Sequence, residues 1–134
     1  MTSNESLQKW LALEHEAVWF YAQVGGRFDA LAGAARIAYA AHVGAREVLL
    51  ARLHRAGVEP VGTQLAYGVG TLRTPADARK FARSLESRVA AACLTLVGVV
   101  EGQDREFATT ALRRAALAQL TWGARPSAFP GLPS

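Results

Sequence analysis

Four long segments of the chain repeat apolar residues at spacings of three and four, the period of an amphipathic α-helix. The stripe of the first segment contains Leu7, Leu11, Val18 and Tyr21. Alanine is abundant and β-branched residues are sparse outside short runs, which favours helix throughout. We therefore predict an all-α fold with helices at about residues 5–24, 30–56, 75–101 and 104–122, followed by a proline-rich tail over residues 123–134.

Capping signals mark the ends of the predicted helices. Thr2 and Glu5 have the spacing of a capping box, and Thr74-Pro75 followed by Asp77 is a strong helix start. The remaining predicted N-caps and glycine stops are Asp29, Asp104, Gly25-Gly26, Gly57 and Gly123. These signals divide the chain into two helical hairpins.

Residues 57–73 form the one long connection and are rich in glycine and proline. At about 17 residues, this connection is longer than most loops inside a compact domain. In an up-down-down-up four-helix bundle, such a crossover runs from one end of the bundle to the other. We predict this topology for a single domain over residues 1–134, with Leu65, Tyr67 and Val69 packing the crossover against the helices.

The charge and hydropathy patterns argue against nucleic-acid and membrane partners. The formal net charge is +4, but the basic residues are scattered rather than clustered as in a nucleic-acid footprint. The longest uncharged apolar run, Val89 to Val100, is shorter than the roughly 20 residues that cross a bilayer. The polar start of the chain, Met1 to Ser6, has no apolar leader segment, which predicts a cytoplasmic protein.

Two polar residues interrupt the apolar stripes. Glu14 lies on the stripe of the first helix, and His42 interrupts the alanine-rich stripe of the second. Burying an ionised carboxylate is costly unless a partner or a metal neutralises it. Both residues are 14 positions from a turn near Phe28, so antiparallel helices would place them at about the same level.

Three segments carry a resemblance to a known family. They are the segment from Glu14 to Val18 with aromatic residues after it, the alanine-rich second helix centred on Ala41-His42, and the closing segment from Ala128 to Leu132. Together they resemble the actinobacterial ferritin-like family of unknown function, over nearly the whole chain. The resemblance implies a ferritin-like four-helix bundle, and the family itself has no assigned activity.

The first predicted hairpin retains part of a di-metal pattern. Di-iron carboxylate bundles use one Glu from each of two helices and a Glu-x-x-His motif from each of the other two. Glu14 matches a lone Glu, and His42 matches a motif histidine. Three residues before His42, however, the chain has Tyr39 instead of Glu.

The second predicted hairpin retains less of this pattern. Glu86 can serve as the other lone Glu. Reflection of Glu86 through a turn near Gly102 leads to Gln119, with Ala116 three residues earlier. The fourth helix therefore has no good metal ligand at these positions.

Glu14, His42 and Glu86 are thus the candidate site residues, and two interpretations remain open. The three side chains could hold one divalent ion, and the ligand set would suit Fe, Mn or Zn, with oxidase or metal-storage chemistry. Alternatively, Glu14 pairs with His42, or Arg46 or Tyr39 satisfies it, and the polar core holds no metal. The missing bridging carboxylates favour the second interpretation, a non-enzymatic bundle that binds another protein or a small apolar ligand.

The first helix also carries apolar residues outside its main stripe. Its broad apolar coverage predicts a homodimer, with Trp19 and Phe20 as the interface residues. The alanine-rich faces of the other helices predict close packing, with helices one and two packed against helices three and four.

Overall fold

A computed structural model describes residues 1–132. In this range the chain forms four α-helices and no β-strand, so the all-α prediction is confirmed. The helices are α1 (Ser3–Arg27), α2 (Ala32–Arg55), α3 (Pro75–Val97) and α4 (Gly102–Thr121). No helix among the described residues is long and apolar enough to cross a membrane.

The helices pack as two hairpins that meet along α1 and α3. A 3-10 turn, Asp29–Leu31, joins α1 to α2, and residues 98–101 join α3 to α4. Each connection is short, so the helices of each pair run antiparallel. The helix α1 also packs against α3, whereas α2 and α4 barely contact each other. The predicted packing of helices one and two against helices three and four therefore holds for α1 and α3 but not for α2 and α4.

Both predicted capping boxes are present. The Thr2 hydroxyl accepts from the Glu5 amide, and the Glu5 carboxylate accepts from the Thr2 amide. Thr74 and Asp77 make the same exchange at the start of α3. Hydrogen bonds from the backbone amides of Arg73 and Thr74 hold the pKa of Asp77 below its ordinary value. The caps therefore fix where α1 and α3 begin.

Several predicted helix ends differ from the structure. The helix α3, predicted to reach about residue 101, ends at Val97. The helix α1 does not stop at Gly25-Gly26 but continues to Arg27, and neither glycine has a positive φ. A Cβ atom at Gly25 would lie 3.7 Å from the Ala35 Cβ atom, an ordinary van der Waals contact, so close packing does not require the glycine. Asp29 makes no capping bond. Asp104 lies inside the first turn of α4, where its carboxylate accepts from Arg52 on α2.

The apolar core forms two clusters along the bundle. The first cluster contains Leu11, Leu49 and Leu96, and the second contains Phe20 and Leu85. Phe20 is 0% exposed and packs against Phe81 of α3. It is therefore unavailable for contacts with a second chain, and its assignment to a dimer interface is wrong.

The helix α1 is apolar on several sides because other parts of the same chain cover it. The remaining predicted interface residue, Trp19, packs against Tyr67 of the crossover. Gln8 binds the backbone of Glu59 and Val61, and a ring nitrogen of His15 lies 2.9 Å from the Val61 carbonyl oxygen. Homodimerisation remains a prediction, but the coverage of α1 no longer supports it.

The crossover packs through fewer apolar residues than expected. Tyr67 and Val69 are partly buried, as predicted, but Leu65 is fully exposed. In the tail, Phe129 is also exposed, and Gly131 makes the closest approach to α3. A Cβ atom at Gly131 would lie 2.9 Å from the Ala90 carbonyl oxygen, so only glycine fits there.

Candidate functional site

A cluster of buried charged side chains separates the two apolar clusters. Glu14 on α1 and Glu86 on α3 are each 1% exposed, and His42 on α2 is 7% exposed. Each residue belongs to an apolar helix face, so the packing of that face brings the side chain into the bundle. The structure thus brings together all three candidate site residues of the sequence.

His42 bridges the two carboxylates. Its Nδ1 atom lies 2.5 Å from Glu14 Oε2, and its Nε2 atom lies 2.7 Å from Glu86 Oε1. The imidazole therefore links α2 to α1 through one nitrogen and to α3 through the other. We name Glu14, His42 and Glu86 the buried triad.

Two aromatic side chains complete the hydrogen bonding of the buried triad. The Trp10 indole donates to Glu14 Oε1 over 2.7 Å, and the Tyr21 hydroxyl donates to Glu86 Oε1 over 2.6 Å. Sequence reasoning assigned both residues only to apolar stripes. The spacing of four between Trp10 and Glu14 was a signal for the first bond. The second bond joins residues 65 positions apart and has no local signal.

The bridging geometry favours the imidazolium form of His42. Ionised carboxylates only accept hydrogen bonds, so a ring placed between two of them must donate from both nitrogens. Burial alone would lower the pKa of His42, but the charge of Glu14 and the hydrogen bonds to both carboxylates outweigh it and raise the pKa to about 10. Burial and the neighbouring Glu86 likewise raise the pKa of Tyr21 well above its ordinary value.

The buried triad as arranged does not fit a metal ion. A histidine ligates through a deprotonated ring nitrogen, and both nitrogens of His42 are bonded to carboxylates. Within residues 1–132, no group of three or more His, Cys, Asp or Glu side chains is arranged to hold a metal. The ring of His42 occupies the space between the two carboxylates and supplies the positive charge there.

An open cleft leads from the surface to the buried triad. It has a volume of about 290 Å³, and Glu14, His42 and Glu86 lie among its lining residues. Its walls are alanines of α2 and α4: Ala34, Ala38, Ala41, Ala45, Ala111, Ala115 and Ala118. Exposed side chains, among them Ile37 and Leu117, also line it and place its mouth at the surface. We name this space the α2–α4 cleft.

The other residues that the sequence pattern pointed to lie away from the buried triad. Arg46 pairs with Glu47, and Tyr39 is 39% exposed, so neither satisfies Glu14. Ala116 and Gln119 line a separate groove beside the tail. The reflection from Glu86 to these two positions is therefore wrong by a fraction of a helical turn, since Ala115 and Ala118 face the α2–α4 cleft.

Cys93 is a core residue. It is 0% exposed and belongs to the first apolar cluster. Burial and the nearby charges of Glu14 and Glu86 raise the pKa of its thiol, which keeps it protonated and unreactive.

Comparison with known proteins identifies the family but no activity. The fold and the site define the class: a small all-α helical bundle with a charged cluster in its core. The family model described as "Domain of unknown function (DUF4439)" matches residues 6–134, and the chain belongs to that family. A search of curated proteins found no match.

A solved structure shares the architecture over nearly the full length of both chains. It is the crystal structure of a conserved hypothetical protein, rv2844, from Mycobacterium tuberculosis. The two chains are 28% identical, the match covers 96% of each, and the TM-score is 0.84. The helical arrangement described here is thus similar to one seen in a crystal.

Proposed function

We propose that this chain is a non-enzymatic helical bundle that binds a small, largely apolar molecule in the α2–α4 cleft. One observation carries the proposal: an alanine-lined cleft runs from the surface to a buried charged cluster. Its volume, about 290 Å³, is close to the lower end of the range for small-molecule sites. Apolar walls with a few polar groups at one end are typical of such sites.

We further propose that the bundle is ferritin-like, with up-down-down-up topology. Two features support this assignment. The chain is divided into two helical hairpins, and residues 56–74 between them are free of helix. The charged cluster lies between two apolar clusters, at the level where ferritin-like bundles carry their metal ligands. The buried triad is then the remnant of such a ligand set.

The alternative function is a reduced metal site at Glu14, His42 and Glu86 with oxidase or storage chemistry. The hydrogen bond between His42 and Glu14 disfavours it, because metal binding would require the ring to give up at least one carboxylate. Elemental analysis of protein purified without chelators and without a histidine tag tests this alternative. Iron, manganese or zinc near one ion per chain would support it, and the loss of that metal in a Glu14→Ala, His42→Ala variant would assign it to the buried triad.

Binding to the cleft is tested with two small probes, n-hexanol and n-hexylamine. Titration calorimetry measures their affinity, and the indole NMR signal of Trp122, which lines the cleft, reports the position. We expect saturable binding of at least one probe with a shift of the Trp122 signal.

A matched pair of variants localises the binding. Ala41 lines the α2–α4 cleft, whereas its neighbour Ala40 is exposed and does not line it. We expect Ala41→Phe to abolish binding and Ala40→Phe to leave it unchanged. No binding of either probe to the wild type, or equal binding to the Ala41→Phe variant, would contradict the proposed function.

A further inference from the structure

The buried triad leaves a net negative charge at the inner end of the α2–α4 cleft. Glu14 and Glu86 contribute two negative charges, and the doubly bonded ring of His42 contributes one positive charge. Neither Trp10 nor Tyr21 adds a charge, since both donate hydrogen bonds as neutral groups. One uncompensated negative charge in a buried position is costly unless a cation neutralises it.

One carboxylate oxygen of the buried triad has no hydrogen-bond partner. Glu86 Oε1 accepts from both His42 and Tyr21, whereas Glu86 Oε2 has no hydrogen bond within the described residues. Within the described residues, the fully buried side-chain atoms that lack a hydrogen-bond partner are Ser6 Oγ and His15 Nδ1. Glu86 Oε2 is not one of them, so this oxygen is not fully buried. Glu86 as a whole is only 1% exposed, and it lines the cleft. The cleft is therefore the space that this oxygen faces.

We infer that the ligand of the α2–α4 cleft is an organic cation, an apolar body that carries a protonated amine. The ammonium donates to Glu86 Oε2 at the inner end, and the apolar body lies between the alanines of α2 and α4. This inference rests on the proposed function and names the chemical class of its ligand. A hydrogen bond between an ammonium and a carboxylate is charge-assisted, and burial strengthens it.

The rest of the cleft fits this ligand class. The acidic residues that line it are Glu14 and Glu86, both at the inner end. Besides His42, which is already paired with both carboxylates, its basic side chain is Arg114, which is exposed, so water and salt screen its repulsion of an entering cation. The polarity of the cleft thus places a cation inside and leaves a neutral or anionic group favoured at the mouth.

Three probes of equal length test the inference: n-hexylamine, n-hexanol and n-hexanoate, titrated at pH 7 and low salt. They differ only in the charge of the terminal group. We expect n-hexylamine to bind about tenfold or more tightly than n-hexanol, the ratio typical of a charge-assisted hydrogen bond, and n-hexanoate to bind weakest. Equal affinity for amine and alcohol, or tighter binding of n-hexanoate, would overturn the inference and leave the proposed function standing.

The variant Glu86→Gln separates the charge from the shape of the cleft. The glutamine oxygen can still accept from His42 and Tyr21, but an amide NH₂ group replaces the Oε2 atom that faces the cleft. We expect the preference for the amine over the alcohol to disappear while n-hexanol binding persists. If the variant does not fold, the comparison of the three probes on the wild type decides alone. If the folded variant retains the preference, Glu86 is not the acceptor and the inference is wrong.

Discussion

The two long seams of this bundle, α1–α3 and α2–α4, are both rich in small residues, yet only the first is closed. Along α1 and α3, the alanines alternate with large side chains such as Trp10, Phe20 and Leu85, which fill the space between the helices. Along α2 and α4, alanines face alanines and leave a cleft of about 290 Å³. Small residues therefore allow helices to approach closely only where larger neighbours complete the packing.

The buried triad belongs to both seams. Glu14 and Glu86 come from the closed seam, and His42 reaches them from the wall of the open one. The imidazolium thus links α2 to α1 and α3, whereas α2 and α4 barely contact each other. On this account, the bridge through His42 adds an electrostatic contact on the open side, where α2 also packs on α1 through Leu49 and Leu53.

Removal of His42 should have the largest effect on stability. The variant His42→Leu leaves Glu14 and Glu86 buried without the cation between them. We expect a loss of about 3–5 kcal/mol in the free energy of unfolding at pH 7, measured by urea denaturation. His54 is exposed and gives a matched control, His54→Leu. A loss below about 1 kcal/mol in His42→Leu would remove the electrostatic role from the account.

The packing difference between the seams predicts opposite responses to the same substitution. Ala82 is 0% exposed in the second apolar cluster, so Ala82→Leu should overpack the core and cost about 1–3 kcal/mol. Ala118 lines the cleft, which has room for a larger side chain. The free energy of unfolding of Ala118→Leu should therefore lie within about 0.5 kcal/mol of the wild-type value or above it. Urea denaturation of both variants measures the contrast. Equal destabilisation would mean that the cleft closes in solution.

The charge of His42 predicts a pH dependence of stability. Its pKa rises from 6.5 in the unfolded chain to about 10 in the folded one, so the folded state binds more protons between these values. The contribution of His42 is fully present below pH 6.5 and is lost as the pH rises towards 10. Between pH 7 and 8.5 we expect the free energy of unfolding to fall by at most about 1.4 kcal/mol per pH unit. The same urea titration on His42→Leu should show no such slope, and a slope retained in that variant would assign the effect to other groups.

The smallest effect should come from an ion pair on the surface of the closed seam. Arg88 on α3 donates to both carboxylate oxygens of Glu16 on α1. The Arg88 side chain is 43% exposed, so solvent screens the pair. We expect Glu16→Gln to cost less than about 1 kcal/mol and the cost to vanish in high salt. A cost of several kcal/mol would show that α1 and α3 depend on charge as α2 does.

Local sequence signals predicted much of the fold and part of the site. The capping boxes at Thr2 and Thr74 place two helix starts, because each depends on residues within one turn. The depth of Glu14 and His42 followed from helix periodicity and their equal distance from a short turn. The third contact, with Glu86, depended on the packing of one hairpin against the other, for which the resemblance to a known fold supplied the arrangement.

The cleft could not be predicted from the same signals. An alanine stripe looks alike in a tight seam and in an open one, and the difference lies in the residues across the seam. The cleft is lined by Ala115 and Ala118, not by the predicted positions Ala116 and Gln119. A small change in the rotation of a helix about its axis decides which positions point inward. The helix at Gly25-Gly26 shows the same limit: the glycine pair predicted an end, but neither residue has a positive φ and α1 continues to Arg27.

The protonation state of His42 tests the central claim most directly. Long-range ¹H–¹⁵N NMR of the histidine rings at pH 7 distinguishes an imidazolium from either neutral tautomer, and the His42→Leu variant assigns the signals among the three histidines. We predict that both ring nitrogens of His42 carry protons at pH 7 and still do so at pH 8.5. A neutral ring at pH 7, or a ring nitrogen bound to metal, would contradict the account of His42 as the cation between Glu14 and Glu86.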